Sequence, residues 1–210
     1  GQKGTGKWTS QAALDLGVPI PTIDSAVSMR QISAIRTVRD AVGGAFGKDL
    51  TDRGDAVATA DLQKALTAAF IITYAQGMSL LQAASAEFGY GLDLSEIAKI
   101  WRGGCIIRSA MLEEMRKAFG GASNLENLMI DAQFAEALKA HTPNLRKMIT
   151  ACTRHGIPAL CLSSALNYFD AFRAEMLPAN LIQAQRDFFG AHTYKRLDKE
   201  GTFHSPDWDK

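Results

Sequence analysis

Ala65-Leu-Thr-Ala-Ala-Phe-Ile-Ile-Thr-Tyr-Ala-Gln-Gly-Met-Ser-Leu-Leu-Gln-Ala-Ala-Ser-Ala86 is the stretch that decides the fold. Wound as a helix, it carries apolar residues on nearly every face, among them Leu66, Ala69, Phe70, Ile71, Ile72, Leu80 and Leu81. An all-round apolar helix belongs in the middle of a bundle. The helical pattern extends beyond both ends. From about Ala56 to Phe88 there is no proline, and only Gly77 interrupts the helix formers. A continuous helix there is about 50 Å long. The expected fold is therefore all-α, with one long central helix surrounded by shorter antiparallel ones.

Working outward, period-3.6 patterns with cap signals recur and convincing strand alternation is scarce. Ser10 to Leu16 reads as a short helix closed by Gly17. Val18-Pro19-Ile20-Pro21 forces extended backbone, and Thr22 is expected to cap a helix running to about Val42. Gly43-Gly44, Gly47 and Asp49 to Asp55 read as a polar loop. Asp93 caps a helix to Trp101, Gly103-Gly104 break it, and Ile106 to Phe119 form the next. Thr142-Pro143 looks like a cap followed by proline at the first helical position, for a helix ending at Gly156. Pro158 and Pro178 open two more. From Thr193 onward the chain is polar with isolated Phe203 and Trp208, a tail that orders only if those aromatic anchors dock.

Composition narrows the function classes. The 210 residues are 47% hydrophobic, enough for one substantial core. Lys plus Arg (23) nearly balances Asp plus Glu (22), which argues against a nucleic-acid or membrane-surface footprint but leaves room for a local anion site. No apolar run approaches the roughly 20 residues of a membrane span. The opening residues lack a signal-peptide pattern. Cys105, Cys152 and Cys161 form no C-x-x-C pair and read as core-filling thiols of a reducing compartment. His141, His155, His192 and His204 lack metal-ligand spacing, so no metal is expected.

Two clusters carry chemistry. Gly1-x-x-x-x-Gly6-Lys7 almost spells a phosphate-binding P-loop, but Trp8 stands where that loop needs Ser or Thr. Glycine-flanked Lys3 and Thr5 can still cradle an anion, or form an ordinary polar surface loop. Arg30 shares a helical face with Ile23, Ala26, Val27 and Ala34, and no acid stands at 26, 27, 33 or 34. A desolvated guanidinium on that stripe needs an anion, either a ligand or a distant carboxylate of the fold. Near the other end, Arg186-Asp-Phe-Phe-Gly-Ala-His192 places two more donors around a helix stop at Gly190. Asp187 is adjacent to Arg186 but points about 100° away on a helix, so the two pair poorly. Neither cluster has an acidic partner close by, as if an anion were to arrive there.

Five stretches resemble the C-terminal helical domain of decarboxylating 6-phosphogluconate dehydrogenases: Lys3-Gly-Thr-Gly-Lys-Trp-Thr9, Ala12-Ala-Leu-Asp-Leu-Gly-Val18, Thr73-Tyr-Ala-Gln-Gly-Met78, Ile100-Trp-Arg-Gly-Gly-Cys-Ile-Ile-Arg108 and Leu177-Pro-Ala-Asn-Leu-Ile-Gln-Ala-Gln-Arg-Asp-Phe-Phe-Gly-Ala-His-Thr-Tyr194. The resemblance runs essentially from end to end. It implies that Lys3, Thr5 and Arg30 hold the substrate, chiefly its phosphate, and that Arg186 and His192 reach across a homodimer interface into the partner's site. It implies a helical substrate-binding and dimerisation domain over residues 1–192 and a tail over 193–210.

The activity implied is oxidative decarboxylation of 6-phosphogluconate to ribulose 5-phosphate with reduction of NADP. Hydride leaves C3, the 3-keto acid loses carbon dioxide and the enediol is reprotonated. The family's Rossmann domain has no counterpart here, since no G-x-G-x-x-G followed by an acidic residue or arginine occurs. The resemblance likewise finds no match for the helices carrying the family's lysine and glutamate, its general base and acid. The resemblance thus gives this chain no catalytic acid or base, and these 210 residues alone are expected to be inactive. Nothing carries over between Arg39 and Thr59. A rival reading is a helical module that serves oligomerisation only. The coding sequence upstream of Gly1 separates the two, through a glycine-rich βαβ pattern or a start codon.

Overall fold

A computed structural model describes residues 3–47, 57–121, 125–206 and 208. The chain divides into two compact units, 1–169 and 170–210. Among the described residues the regular structure is nine α-helices, one 3-10 turn and one isolated β-bridge. The all-α expectation holds.

In the first unit, α4 (Thr59–Phe88) is the predicted long helix, 30 residues without a break. Its Ala65, Ala68, Ile71, Ile72, Ala75 and Met78 are buried. The alanines let a neighbouring helix approach closely, and α7 (Ala132–Arg154) packs along it through Phe134, Leu138 and Leu145. The same core takes Leu94 and Ala98 of α5 (Leu94–Arg102), Leu112 and Met115 of α6 (Met111–Gly121), and Leu128 of the 3-10 turn Leu128–Ile130. Ala165, Leu166 and Tyr168 of α8 (Leu160–Arg173) complete it. The helix is not enclosed on every side, however: Leu66 and Phe70 remain exposed.

Before α4 come α1 (Thr5–Asp15), α2 (Pro21–Ala34) and α3 (Arg36–Phe46). The predicted helix from Thr22 to Val42 is therefore two. Its ladder gives way near Ile35 (φ −92, ψ 62), just after the Ser33 hydroxyl takes the Arg30 carbonyl at 2.7 Å. A serine bonding back to the preceding turn competes with the ladder. Gly43 and Gly44 lie inside α3 rather than in a loop, and Asp49 to Asp55 fall outside the described residues.

Two further boundaries differ. α6 begins at Met111, not Ile106, because Ser109 Oγ accepts from the Met111 amide at 3.2 Å and Tyr74 Oη donates to the Ile107 carbonyl, holding the preceding stretch as turns. Pro143 lies inside α7 rather than opening a helix. Proline there removes one ladder bond, to the exposed Lys139 carbonyl region, while buried Leu138, Thr142 and Leu145 keep both sides helical. Asp131 caps that helix instead, accepting from Gln133 and Phe134 amides. Asp93 caps α5 as predicted, through Ser95 and Glu96.

The second unit contains the last turn of α8, then α9 (Ala179–Gly190) and the tail. Pro178 stands at the start of α9, as expected. Tyr194 and Phe203 exchange two backbone bonds of 2.8 Å, which close the loop between them into a short return.

Candidate functional site

Lys3, Thr5 and Arg30 belong to the first unit. Gly4 adopts the left-handed conformation (φ 96) from which α1 starts, and the Trp8 ring folds over it. The helix thus opens at Thr5, five residues before Ser10, and the glycine-spaced segment becomes a helix N-terminus rather than a loop. The first amides of a helix lack intrahelical acceptors and form the positive end of its dipole. Lys3 and Thr5 sit at that end.

Two contacts set α1 antiparallel to α2. A Cβ at Gly6 would stand 3.0 Å from Val27 Cγ2, and Ser10 Oγ donates to Asp24 Oδ1 at 2.7 Å. A side chain at Gly6 would require Val27 to give way by a few tenths of an ångström. Going from Gly6 back to Lys3 therefore runs in the same direction as going from Val27 on to Arg30, one turn later on the same face of α2. This register gathers Lys3, Thr5 and Arg30 at one end of the helix pair, with all three exposed. The expected desolvated stripe is not found: α2 buries only its opening turn, at Thr22, so Arg30 faces water and its desolvation demands nothing.

Gln76, which sequence reasoning missed, seats this pair on α4. It is fully buried, accepts the Thr22 amide at 3.0 Å and donates to Thr22 Oγ1 at 2.8 Å. Thr22 was expected as the cap of α2. In the structure Pro21 is already helical, and Gln76 from another helix satisfies the free Thr22 donor. A polar side chain inside the apolar run Ala65–Ala86 was the available signal.

Arg186 and His192 belong to the second unit, at the end of α9, and both are exposed. Arg186 Nη1 donates to Gln183 Oε1 at 3.3 Å. Asp187 turns away from Arg186 as expected, and its use was missed. It is fully buried and takes four donors from the tail: Thr193 N at 2.8 Å and His204 Nδ1 at 3.0 Å on Oδ1, Ser205 N at 3.0 Å and Trp208 Nε1 at 3.0 Å on Oδ2. Burial pushes this carboxyl up, but the donations from Ser205, His204, Trp208 and Thr193 outweigh it and hold it at about 2. A carboxylate only accepts, so His204 Nδ1 carries its proton. The tail is anchored through Trp208, and Tyr194 and Phe203 lie ring to ring at 6.3 Å.

Cys105, Cys152 and Cys161 are free thiols. Among the described residues, no group of three or more His, Cys, Asp or Glu is placed to hold a metal ion, and no helix is long and apolar enough to cross a membrane. A dinucleotide site needs strands whose ends carry a glycine-rich turn. The described helices and single bridge do not fit one.

Fold and site together define an all-α domain that presents clustered cationic and hydroxyl donors at helix ends. The profile of the family "6-phosphogluconate dehydrogenase, C-terminal domain" matches residues 1–208, and the chain belongs to that family. It is 47% identical, over its whole length, to the NADP(+)-dependent decarboxylating 6-phosphogluconate dehydrogenase of Bacillus subtilis, covering 45% of that protein. It is 44% identical, over 97% of its length, to the decarboxylating enzyme of Escherichia coli, covering 44% of it. A Plasmodium falciparum 6-phosphogluconate dehydrogenase, solved apo, with NADP+ and with 6-phosphogluconate, superposes with a TM-score of 0.92 at 42% identity, over 98% of this chain and 45% of that one. The chain thus spans somewhat under half the length of these relatives.

Proposed function

We propose that this chain is the substrate-holding and dimerisation part, over residues 1–192 with the tail 193–210, of a cytoplasmic enzyme that oxidatively decarboxylates 6-phosphogluconate to ribulose 5-phosphate with NADP. The observation that carries the reading is the antiparallel register of α1 and α2, with Lys3, Thr5 and Arg30 at one end. An ammonium, a hydroxyl, a guanidinium and the amides of a helix N-terminus suit a phosphate dianion. Hydrogen bonds to charged groups contribute about 1.5–3 kcal/mol each, so three or four give micromolar binding after entropy costs. Arg186 and His192 complete the cradle from the partner subunit of a homodimer. The exposed Leu181, Ile182, Phe188 and Phe189 of α9 support the dimer, as apolar surface that a second copy would cover. Proton transfer and NADP binding fall to residues outside this chain.

The test is Arg30→Ala in the full-length enzyme. Losing one charged donor to the phosphate raises KM about tenfold or more, roughly 1.4 kcal/mol, with kcat little changed. Folding survives, since Arg30 is a surface residue. An unchanged KM in a folded Arg30→Ala enzyme contradicts the assignment.

A further inference from the structure

Asp187 has no role in the reading above, yet it is the most heavily bonded side chain in the second unit. Its four donors come from both ends of the tail: Thr193 just after α9, and His204, Ser205 and Trp208 after the chain has returned. Between Asp187 and Thr193 the backbone is unusual. Ala191 (φ 49) and Thr193 (φ 63) are both left-handed without being glycine, a costly conformation that persists only where the surroundings impose it. The residue between them is His192. Its ring lies against Gly190, where a Cβ would stand 3.0 Å from Nε2 and 3.1 Å from Cδ2. This turn is held by the Ala191 amide on the Asp187 carbonyl at 2.8 Å, the Thr193 amide on the Asp187 carboxylate, and Gln183 Nε2 donating to the Thr193 carbonyl. The Thr193 hydroxyl adds a bond to the His192 carbonyl at 2.6 Å, and Asp187 supplies two of the four ties, one of them through its carboxylate.

We infer that Asp187 is a positioning residue: by clamping the returning tail and the Thr193 amide, it fixes the strained turn that lays His192 against Gly190, one helical turn along α9 from Arg186. The inference rests on the reading of those two residues as phosphate ligands. Asp187 itself is fully buried, and both its oxygens are taken by donors of the tail. The loop Lys195 to Thr202 then serves as the connection that brings Ser205 and Trp208 back to α9, and Trp208 is the outermost fastening.

The experiment is a cycle in the full-length enzyme between Asp187→Asn and the double change Arg186→Ala with His192→Ala, read as KM and kcat for 6-phosphogluconate. Asparagine keeps the shape but turns one acceptor into a donor facing N–H groups. Asp187→Asn alone is expected to raise KM about tenfold with kcat within about threefold. Placed on the Arg186→Ala, His192→Ala background it is expected to add less than about twofold, because its effect runs through those side chains. If Asp187→Asn does not yield folded protein, Trp208→Phe carries the test, with a KM increase of about two- to threefold and the same loss of effect on that background. An unchanged KM, or an equal rise on both backgrounds, overturns the inference and leaves Asp187 a purely structural clamp. Wild-type KM in the Arg186→Ala, His192→Ala enzyme would instead sink the phosphate reading itself, and the inference with it.

Discussion

Around α4 the chain is organised by apolar area, and around Asp187 by a single carboxylate. The first unit buries some twenty side chains against one another, and its polar ties, such as Gln76 to Thr22, add direction to a core that already exists. The second unit leaves Leu181, Ile182, Phe188 and Phe189 of α9 uncovered by its own chain and gathers its tail onto one buried acid instead. Apolar packing spreads its cost over many contacts, so no single donor decides the arrangement. A carboxylate hub is all-or-none: remove it, and four donors lose their acceptor at once.

The largest effect should come from breaking the first arrangement. Ile72→Ala opens a cavity in the middle of α4, where Ile72 has no exposed surface. The expected loss is about 2–5 kcal/mol, seen as a urea midpoint shifted down at unchanged slope. A loss under about 1 kcal/mol would mean that α4 is not the strut. Gln76→Ala is expected to cost less, about 1–3 kcal/mol, because it strands the Thr22 amide and hydroxyl without removing apolar packing. It should also raise KM in the full-length enzyme, since α2 carries Arg30.

How much of this was legible in the sequence follows the same division. The α4 core, the cap at Asp93 and the start of α9 at Pro178 could be read because apolar periodicity and local capping act over a few residues. The boundaries at Ile35, Met111 and Pro143 could not, because a serine back-bond, a tyrosine from another helix and tertiary packing overrode local preference. Lys3, Thr5, Arg30, Arg186 and His192 were all named from sequence, by donor chemistry and family resemblance. Their supports, Gln76 and Asp187, were not. Both act on residues far along the chain, 54 positions for Gln76 and up to 21 for Asp187; the polar Gln76 in an apolar run shows that a partner is needed, but no local pattern says which residue it is.

Acid sharpens the contrast at the second unit. The Asp187 carboxyl lies at about 2 when folded, below its ordinary value of 3.8. Its stabilisation is therefore complete above the ordinary value and lost as pH falls through it towards about 2. The Trp208 indole N–H resonance should report this as a titration with a midpoint near the lower figure, absent in Asp187→Asn. A midpoint at the ordinary carboxyl value would mean that the tail does not close on Asp187. Trp208→Phe, which removes one donor and keeps a ring, should have the smallest effect on stability, lowering Tm by roughly two to three degrees.

The central claim is that one phosphate is held by Lys3, Thr5 and Arg30 of one subunit and by Arg186 and His192 of the other. Subunit mixing tests it most directly. Full-length Arg30→Ala and Arg186→Ala enzymes, each weak at low 6-phosphogluconate, are dissociated together and reassociated. In the hybrid dimer one site carries both lesions and the other carries neither, so kcat/KM of the hybrid should recover to about half the wild-type value. If all five residues act within one subunit, every site in the mixture keeps one lesion, and activity staying at the level of the parents would contradict the account.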